Sequence, residues 1–363
     1  MYVLDMGPSH VACFVLYVDD LVMFGSHRVD GIIIELRKTI SMDDPSDLQK
    51  YLGVFHQIVR KEVHGETITE IRFDMEHYFR SAIDDYIKMS GSTLTKVSSP
   101  FAPRLEKEEL DKLLGQDGKM AKNAASLVMK LMYGVRMALP HLCVIVGRLS
   151  SQITKWTADS DRRLHRVYCY LHGALHMKLT GCLSTGDIAE LKILAWLDAD
   201  LNGDYLDTKS TSGFFIEMVG KEGRGMPLSW GSRKQGSTSQ HTAEAEMVSL
   251  AACLRSEAIP LQHLMQSILK KPIDLELCED NAATVISATR GYSPSMRHLP
   301  RTQRISVGLI HEMINEEPQD GEGRISITKV ETAKRKGDLF TKELDGQMFA
   351  SALAMIRVTD QSE

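Results

Sequence analysis

At 363 residues the chain is long enough for two or three domains, and a hydrophobic share of 43% can fill their cores. Lys plus Arg (43) fall short of Asp plus Glu (48), a formal net charge of −5, so bulk charge announces no nucleic-acid partner and any such surface must be local. Six scattered cysteines without a C-x-x-C pair argue against a disulfide framework or a Cys-based zinc site. With no 18-residue apolar run and no signal-peptide pattern, the expectation is a soluble intracellular protein, cytoplasmic or nuclear, without a membrane partner.

In chain order, the first predicted element is a β-hairpin. VACFVLYV and LVMFG are β-branched and aromatic-rich runs separated only by Asp19 and Asp20. Two carboxylates at a hairpin tip repel each other; either water solvates them or a hard divalent cation such as Mg²⁺ relieves the repulsion. His172 and His176 have the i,i+4 spacing of a helical metal pair but no third ligand, and read as ordinary helix surface. In the same stretch Arg162, Arg163 and Arg166 form a basic group, with Arg162 and Arg166 on one helix face, that could track a nucleic-acid backbone.

LKILAWLDADLNGD (191–204) is a strand-like run ending in acids. KSTSGFFIEMVG (209–220) and MPLSWGSRKQ (226–235) read as antiparallel strands joined by the turn KEGRG. In HTAEAEMVSLAACLRSEAI (241–259), Met247, Leu250, Ala251 and Leu254 recur at i, i+3, i+4, i+7, which predicts an amphipathic helix. Thr242 is its expected N-cap, and Glu244 and Glu246 sit where the helix dipole favours anions. LELCEDNAATVISAT (275–289) is a strand turning into a helix at Asp280-Asn281. RGYSPSMRHLPRTQR (290–304) holds Arg290, Arg297, His298, Arg301 and Arg304 and no acid: either a phosphate-contacting loop or a solvated one with incidental arginines. RISITKV (324–330) alternates as a strand, and KGDLFTKEL (336–344) predicts a helix start. Strand, strand, strand, helix, strand, helix, then a last strand and helix fits a ribonuclease H fold.

Tyr17-Val18-Asp19-Asp20 with its apolar flanks resembles the Tyr-x-Asp-Asp box of reverse transcriptases, and of copia-type LTR retrotransposon polymerases in particular. DLQKYLGV (47–54) resembles the strand after that box, MEHYFRSAIDDYIKM (75–89) its following helix, and VSSPFAPRL (97–105) its Pro-rich linker. Residues 126–152 and 162–175 resemble thumb and connection helices. In the second half, LDADLNGD, KSTSGFF, LSWGSRKQ, AEAEMVSLA, CEDNAA and GDLFTK resemble, in order, the blocks of the copia-type ribonuclease H domain.

The resemblance implies an α/β (α+β) chain: a partial reverse transcriptase palm hairpin (1–95), thumb/connection helices (96–188), and a ribonuclease H-like mixed five-stranded sheet with flanking helices (189–350), then a C-terminal tail (351–363). It implies catalytic carboxylates at Asp198, Glu246, Asp280 and Asp338, ligands of two Mg²⁺ (or Mn²⁺), and hydrolysis of the RNA strand of an RNA–DNA hybrid. Asp200, Asp204 and Glu244 are expected to be solvated neighbours. Glu279 competes with Asp280, which directly precedes Asn281 as in the family motif. Asp19 and Asp20 would be polymerase metal ligands, but the family needs a third aspartate upstream, and the one earlier acid is Asp5. The chain thus reads as an N-terminally truncated polymerase, inactive alone unless another Pol segment supplies that aspartate. Leu201 stands where the family has tryptophan, and Pro260 interrupts the helix after Glu246, where an interior proline costs about 3 kcal/mol. Two other readings stand beside the nuclease: a dead remnant that only binds nucleic acid, and a scaffold relative acting on duplex DNA, as integrases and resolvases do.

Overall fold

The computed structural model describes residues 2–5, 7, 10–25, 29–203, 208–331 and 334–361. β1 (Tyr2–Asp5), β2 (Val11–Tyr17) and β3 (Asp20–Gly25) form a three-stranded antiparallel sheet. Tyr17 pairs with Asp20, so the hairpin turn consists of Val18 and Asp19, and Asp20 belongs to the strand, not to the turn. Val18 adopts φ 53°, the left-handed conformation that tight hairpins demand and β-branched residues resist.

The second sheet holds the remaining strands. β4 (Lys50–Tyr51), β5 (Val54–Val63) and β6 (Glu66–Asp74) precede the helix Glu76–Ser90, which Gly91 closes in the left-handed conformation at φ 64°. Helices Ala124–Met137, Cys143–Ser151 and Ala158–Ala174 follow; Thr157 and Ser160 close a capping box on the last. Tyr86 and Tyr168 stack at 4.2 Å to tie the helix Glu76–Ser90 to the helix Ala158–Ala174.

Then come β7 (Met177–Ser184), β8 (Lys192–Asp200), β9 (Thr211–Val219), β10 (Gly225–Lys234), β11 (Leu275–Glu279), β12 (Ile325–Lys329) and β13 (Val358–Asp360). The order β12-β11-β8-β9-β10, with β8 to β10 antiparallel and β11 and β12 parallel to β8, is the ribonuclease H-like arrangement the sequence predicts. It does not stop at five strands. Gly225 of β10 bridges Cys182 of β7, and the sheet continues through β6, β5 and β4, ten strands in all with β13 on β7. An edge strand with unpaired amides is a liability, and this extension covers it.

Local expectations need five corrections. The helix Thr242–Cys253 is not amphipathic: its residues from Glu244 to Ala251 are all buried, as expected of an element packed on every side. Its N-cap is His241 rather than Thr242, with Nδ1 accepting from the Glu244 amide at 3.2 Å. Pro260 neither ends nor breaks the run. A π-helical turn, Leu254–Ala258, hands over to the helix Ile259–Leu269, and Pro260 falls in the first turn of that helix, where its missing N–H is tolerated. KGDLFTKEL starts no α-helix; it contributes one 3₁₀ turn, Gly337–Phe340, and the next helix is Gly346–Met355. Residues 351–360 are no loose tail, since they finish that helix and form β13.

Two cores flank the ribonuclease H-like strands. On one side Phe215, Phe340 and Phe349 join the helices of the first half, with Leu127, Leu131, Leu142 and Leu164 fully buried among them. On the other, Ile193, Ala195 and Leu197 of β8 meet Met247, Leu250 and Leu254. No described helix is long and apolar enough to cross a membrane.

Candidate active site

Strand register brings the first two acids level. β8 and β11 run parallel with Trp196 opposite Cys278, so Asp198 and Asp280 each lie two residues further on, at the same end of the sheet. Asp198 is fully buried opposite Gly213 of β9. Asp280 follows the last residue of β11, and Asn281 next to it caps the helix Ala282–Arg290, its side chain accepting from Ala283 and Thr284 amides. Glu246 comes from the buried helix. One turn later Ser249 Oγ donates to the Asp198 carbonyl at 2.9 Å, which fixes the helix against the strand and Glu246 beside Asp198. One carboxylate oxygen from each of Asp198, Glu246 and Asp280 lies within 4.8 Å of the other two.

Asp338 arrives from the 3₁₀ turn. Leu339 and Phe340 are buried in the core, Phe340 stacks on Phe215 at 5.8 Å, and Thr341 donates from Oγ1 to Asp198. This turn presses on β9 at Gly213, where an added Cβ would come within 2.6 Å of Thr341 Cγ2 and 2.8 Å of the Phe340 carbonyl. That close approach explains the glycine of KSTSGFF. Gly213→Ala is expected to destabilise the fold by about 1–3 kcal/mol in urea unfolding, the usual cost of overpacking, because backbone lies in the way.

Cations answer the acids. Arg335 Nη1 reaches Asp198 Oδ1 at 3.0 Å and Asp280 Oδ2 at 2.6 Å, its Nη2 reaches Asp338 Oδ1 at 2.6 Å, and Lys342 Nζ lies 3.3 Å from Asp198. Burial pushes the Asp198 carboxyl up, against the pull of Lys342 and Arg335. Burial, then Glu279, Asp198 and Asp280, raise Glu246 to about 10, against the weaker pull of Lys342. Glu279, fully buried at the end of β11, accepts at Oε1 from the Asn281 amide at 2.9 Å and is likewise raised, mainly by burial. Glu246 Oε2 and Glu279 Oε2 are buried without a hydrogen-bond partner. Unused acceptor capacity beside three convergent carboxylates fits a hard divalent cation.

Other expected residues fall out unevenly. Glu244 is buried, not solvated: it accepts from the Gln240 amide at 3.0 Å and pairs at 3.0 Å with Nε2 of His298, whose side chain stays 31% exposed. Asp200 is half-buried, 4.0 Å from Arg148, and burial raises its carboxyl; Asp204 lies outside the described residues. Arg290, Arg301 and Arg304 are exposed, as is Arg297, whose guanidinium lies 5.4 Å from the Tyr292 ring and donates to its hydroxyl. Arg162 is held by Asp159 and the Pro103 carbonyl, and Arg166 by the Ser99 carbonyl. Both line a cleft of about 1020 Å³ together with Arg148, Asp200 and Lys342. Asp19 and Asp20 are exposed, and Asp5 pairs with Val11 at the far end of β2, so no third acid joins them from β1.

No protein-family model matches the chain. It is 26% identical over 370 residues to the retrovirus-related Pol polyprotein from transposon RE2 of Arabidopsis thaliana, and 24% identical over 368 residues to that from transposon RE1 of the same plant. Both alignments take in 99% of this chain, which spans only 23% and 22% of those polyproteins. Among solved structures, RNase H1 from the halophilic archaeon Halobacterium salinarum NRC-1 aligns at 18% identity and TM-score 0.27, over 41% of this chain and 94% of its own. The prototype foamy virus protease–reverse transcriptase aligns at 13% identity and TM-score 0.23, over 46% of this chain and 20% of its own. Superpositions this loose leave strand order and direction as the basis of the fold assignment. Over 99% of its length, the chain is thus related to one segment of the retrovirus-related Pol polyproteins.

Proposed function

We propose that this chain is a reverse transcriptase/ribonuclease H segment of a copia-type Pol polyprotein whose C-terminal half hydrolyses RNA in RNA–DNA hybrids with Mg²⁺ or Mn²⁺. The observation that carries this reading is the convergence of Asp198, Glu246 and Asp280 within 4.8 Å, with Asp338 held to Asp198 through shared cations. Asp198, Glu246, Asp280 and Asp338 would hold the divalent ion, whose contribution would be to lower the pKa of a water and to stabilise the departing 3′ oxygen. The protein's own part is positional. Ser249 and Thr341 hold Asp198 from two sides, so its carboxylate needs no reordering. The basic cleft that shares Lys342 and Asp200 with this end of the sheet offers a path for a phosphodiester backbone. Residues 1–95, 96–188 and 189–350 serve in this reading as partial palm, thumb/connection and nuclease.

The test is cleavage of a labelled RNA–DNA hybrid in Mg²⁺. Wild type should cut and Asp280→Asn should not. Binding without cutting would favour a dead remnant, and cutting duplex DNA instead would favour an integrase- or resolvase-like activity. Asp19 and Asp20 are read as a polymerase box incomplete within this chain, so the isolated protein should not extend a primer on RNA. For the exposed basic loop, Arg297→Ala with Arg301→Ala should weaken hybrid binding and lower the slope of log K against log salt by roughly 2, about one per lost phosphate contact. An unchanged slope would remove both from the interface.

A further inference from the structure

Three of the four proposed metal ligands already share one cation of the chain itself. Asp198 Oδ1 and Asp280 Oδ2, two groups of the 4.8 Å cluster, both bond Arg335 Nη1, and Asp338 bonds Nη2 of the same guanidinium. The Arg335 side chain is 13% exposed; its Nη1 and Nη2 are spent on acids, and its buried Nε has no hydrogen-bond partner. Among the described residues Glu246 forms no ion pair with Arg335 or Lys342, although Lys342 is near enough to pull on its charge, and its Oε2 has no hydrogen-bond partner. A divalent ion drawing on Asp198 and Asp280 would therefore meet a guanidinium on those same carboxylates. Nothing in the composition signals this; Arg335 sits in the short basic run Lys334-Arg335-Lys336.

We propose that Arg335 is a built-in competitor for the divalent ion and sets its affinity: ion binding requires the guanidinium to leave Asp198 and Asp280. This rests on the metal site proposed above. Mn²⁺ binding to the full chain, measured by calorimetry, tests it apart from any turnover. Arg335→Gln should tighten Mn²⁺ binding roughly tenfold or more, the scale of one charge-assisted contact that no longer has to break. Arg335→Lys, which keeps the charge and loses the fork, should fall between. Lys334→Gln removes the same charge one residue away, from a side chain 70% exposed that bonds Glu331, and should leave affinity within about twofold. Equal tightening in Lys334→Gln and Arg335→Gln would reduce the effect to bulk charge and overturn the proposal. So would an unchanged affinity in a folded Arg335→Gln or Arg335→Lys protein, while wild-type binding abolished by Asp198→Asn would keep the nuclease reading intact. Failure of all variants to bind Mn²⁺ would overturn both.

Discussion

Asp198→Asn should lower hybrid cleavage by on the order of a thousandfold or more while leaving the fold standing. Asp198 is the acid on which the arrangement converges: β8 delivers it fully buried, Thr341 and Ser249 fix its carboxylate and carbonyl, and Arg335 and Lys342 face it. Asparagine keeps the shape and an oxygen for Thr341 but removes the charge that a divalent ion would need. Stability should change by no more than about 1 kcal/mol, a smaller loss than the usual penalty for breaking a buried pair. The reason is local charge. Asp198, Glu246, Glu279, Asp280 and Asp338 gather around Arg335 and Lys342, acids outnumbering these cations, so one carboxylate fewer relieves repulsion as it removes attraction. Turnover on a labelled hybrid and urea unfolding separate the two effects. Persistent cleavage at a tenth of wild type or more would exclude Asp198 from the chemistry.

What could be read from sequence follows from how each element is determined. β8, β9, β10 and β11 are apolar runs bounded by turn residues, and such local patterns fix strands well. Their order then brings Asp198 level with Asp280. Contacts made by residues far apart in the chain were not legible. Arg335 is 137 residues from Asp198 and looks like part of an ordinary basic run. Glu244 looks like a solvated first-turn acid until His298, 54 residues on, is folded against it. The ten-stranded sheet depends on one bridge, Gly225 to Cys182, that no periodicity encodes. The helix Thr242–Cys253 was legible from the spacing of its apolar residues, but its burial on every side was not, because that depends on what the rest of the chain packs around it.

Glu246→Gln should make the metal-free protein more stable as pH rises, at the expense of activity. In the fold, burial and the neighbouring acids hold the Glu246 proton to about pH 10, against an ordinary value of 4.5. Between those limits the native state binds more protons than the unfolded chain, so stability is greatest below about pH 4.5 and falls as pH climbs toward 10. The slope is at most about 1.4 kcal/mol per pH unit for this group. Glutamine has no proton to lose and presents an amide that could donate to the bare Glu279 Oε2. In urea unfolding with a chelator at pH 5.5, 7.0 and 8.5, the advantage of the variant should therefore grow with pH, by up to about 1 kcal/mol for each unit. Mg²⁺ should flatten the wild-type slope, since an ion takes the place of the proton, and leave the variant unmoved. Parallel pH profiles for the two proteins would mean that Glu246 is already ionised in the fold, and the case for an acid cluster waiting on a cation would go with it.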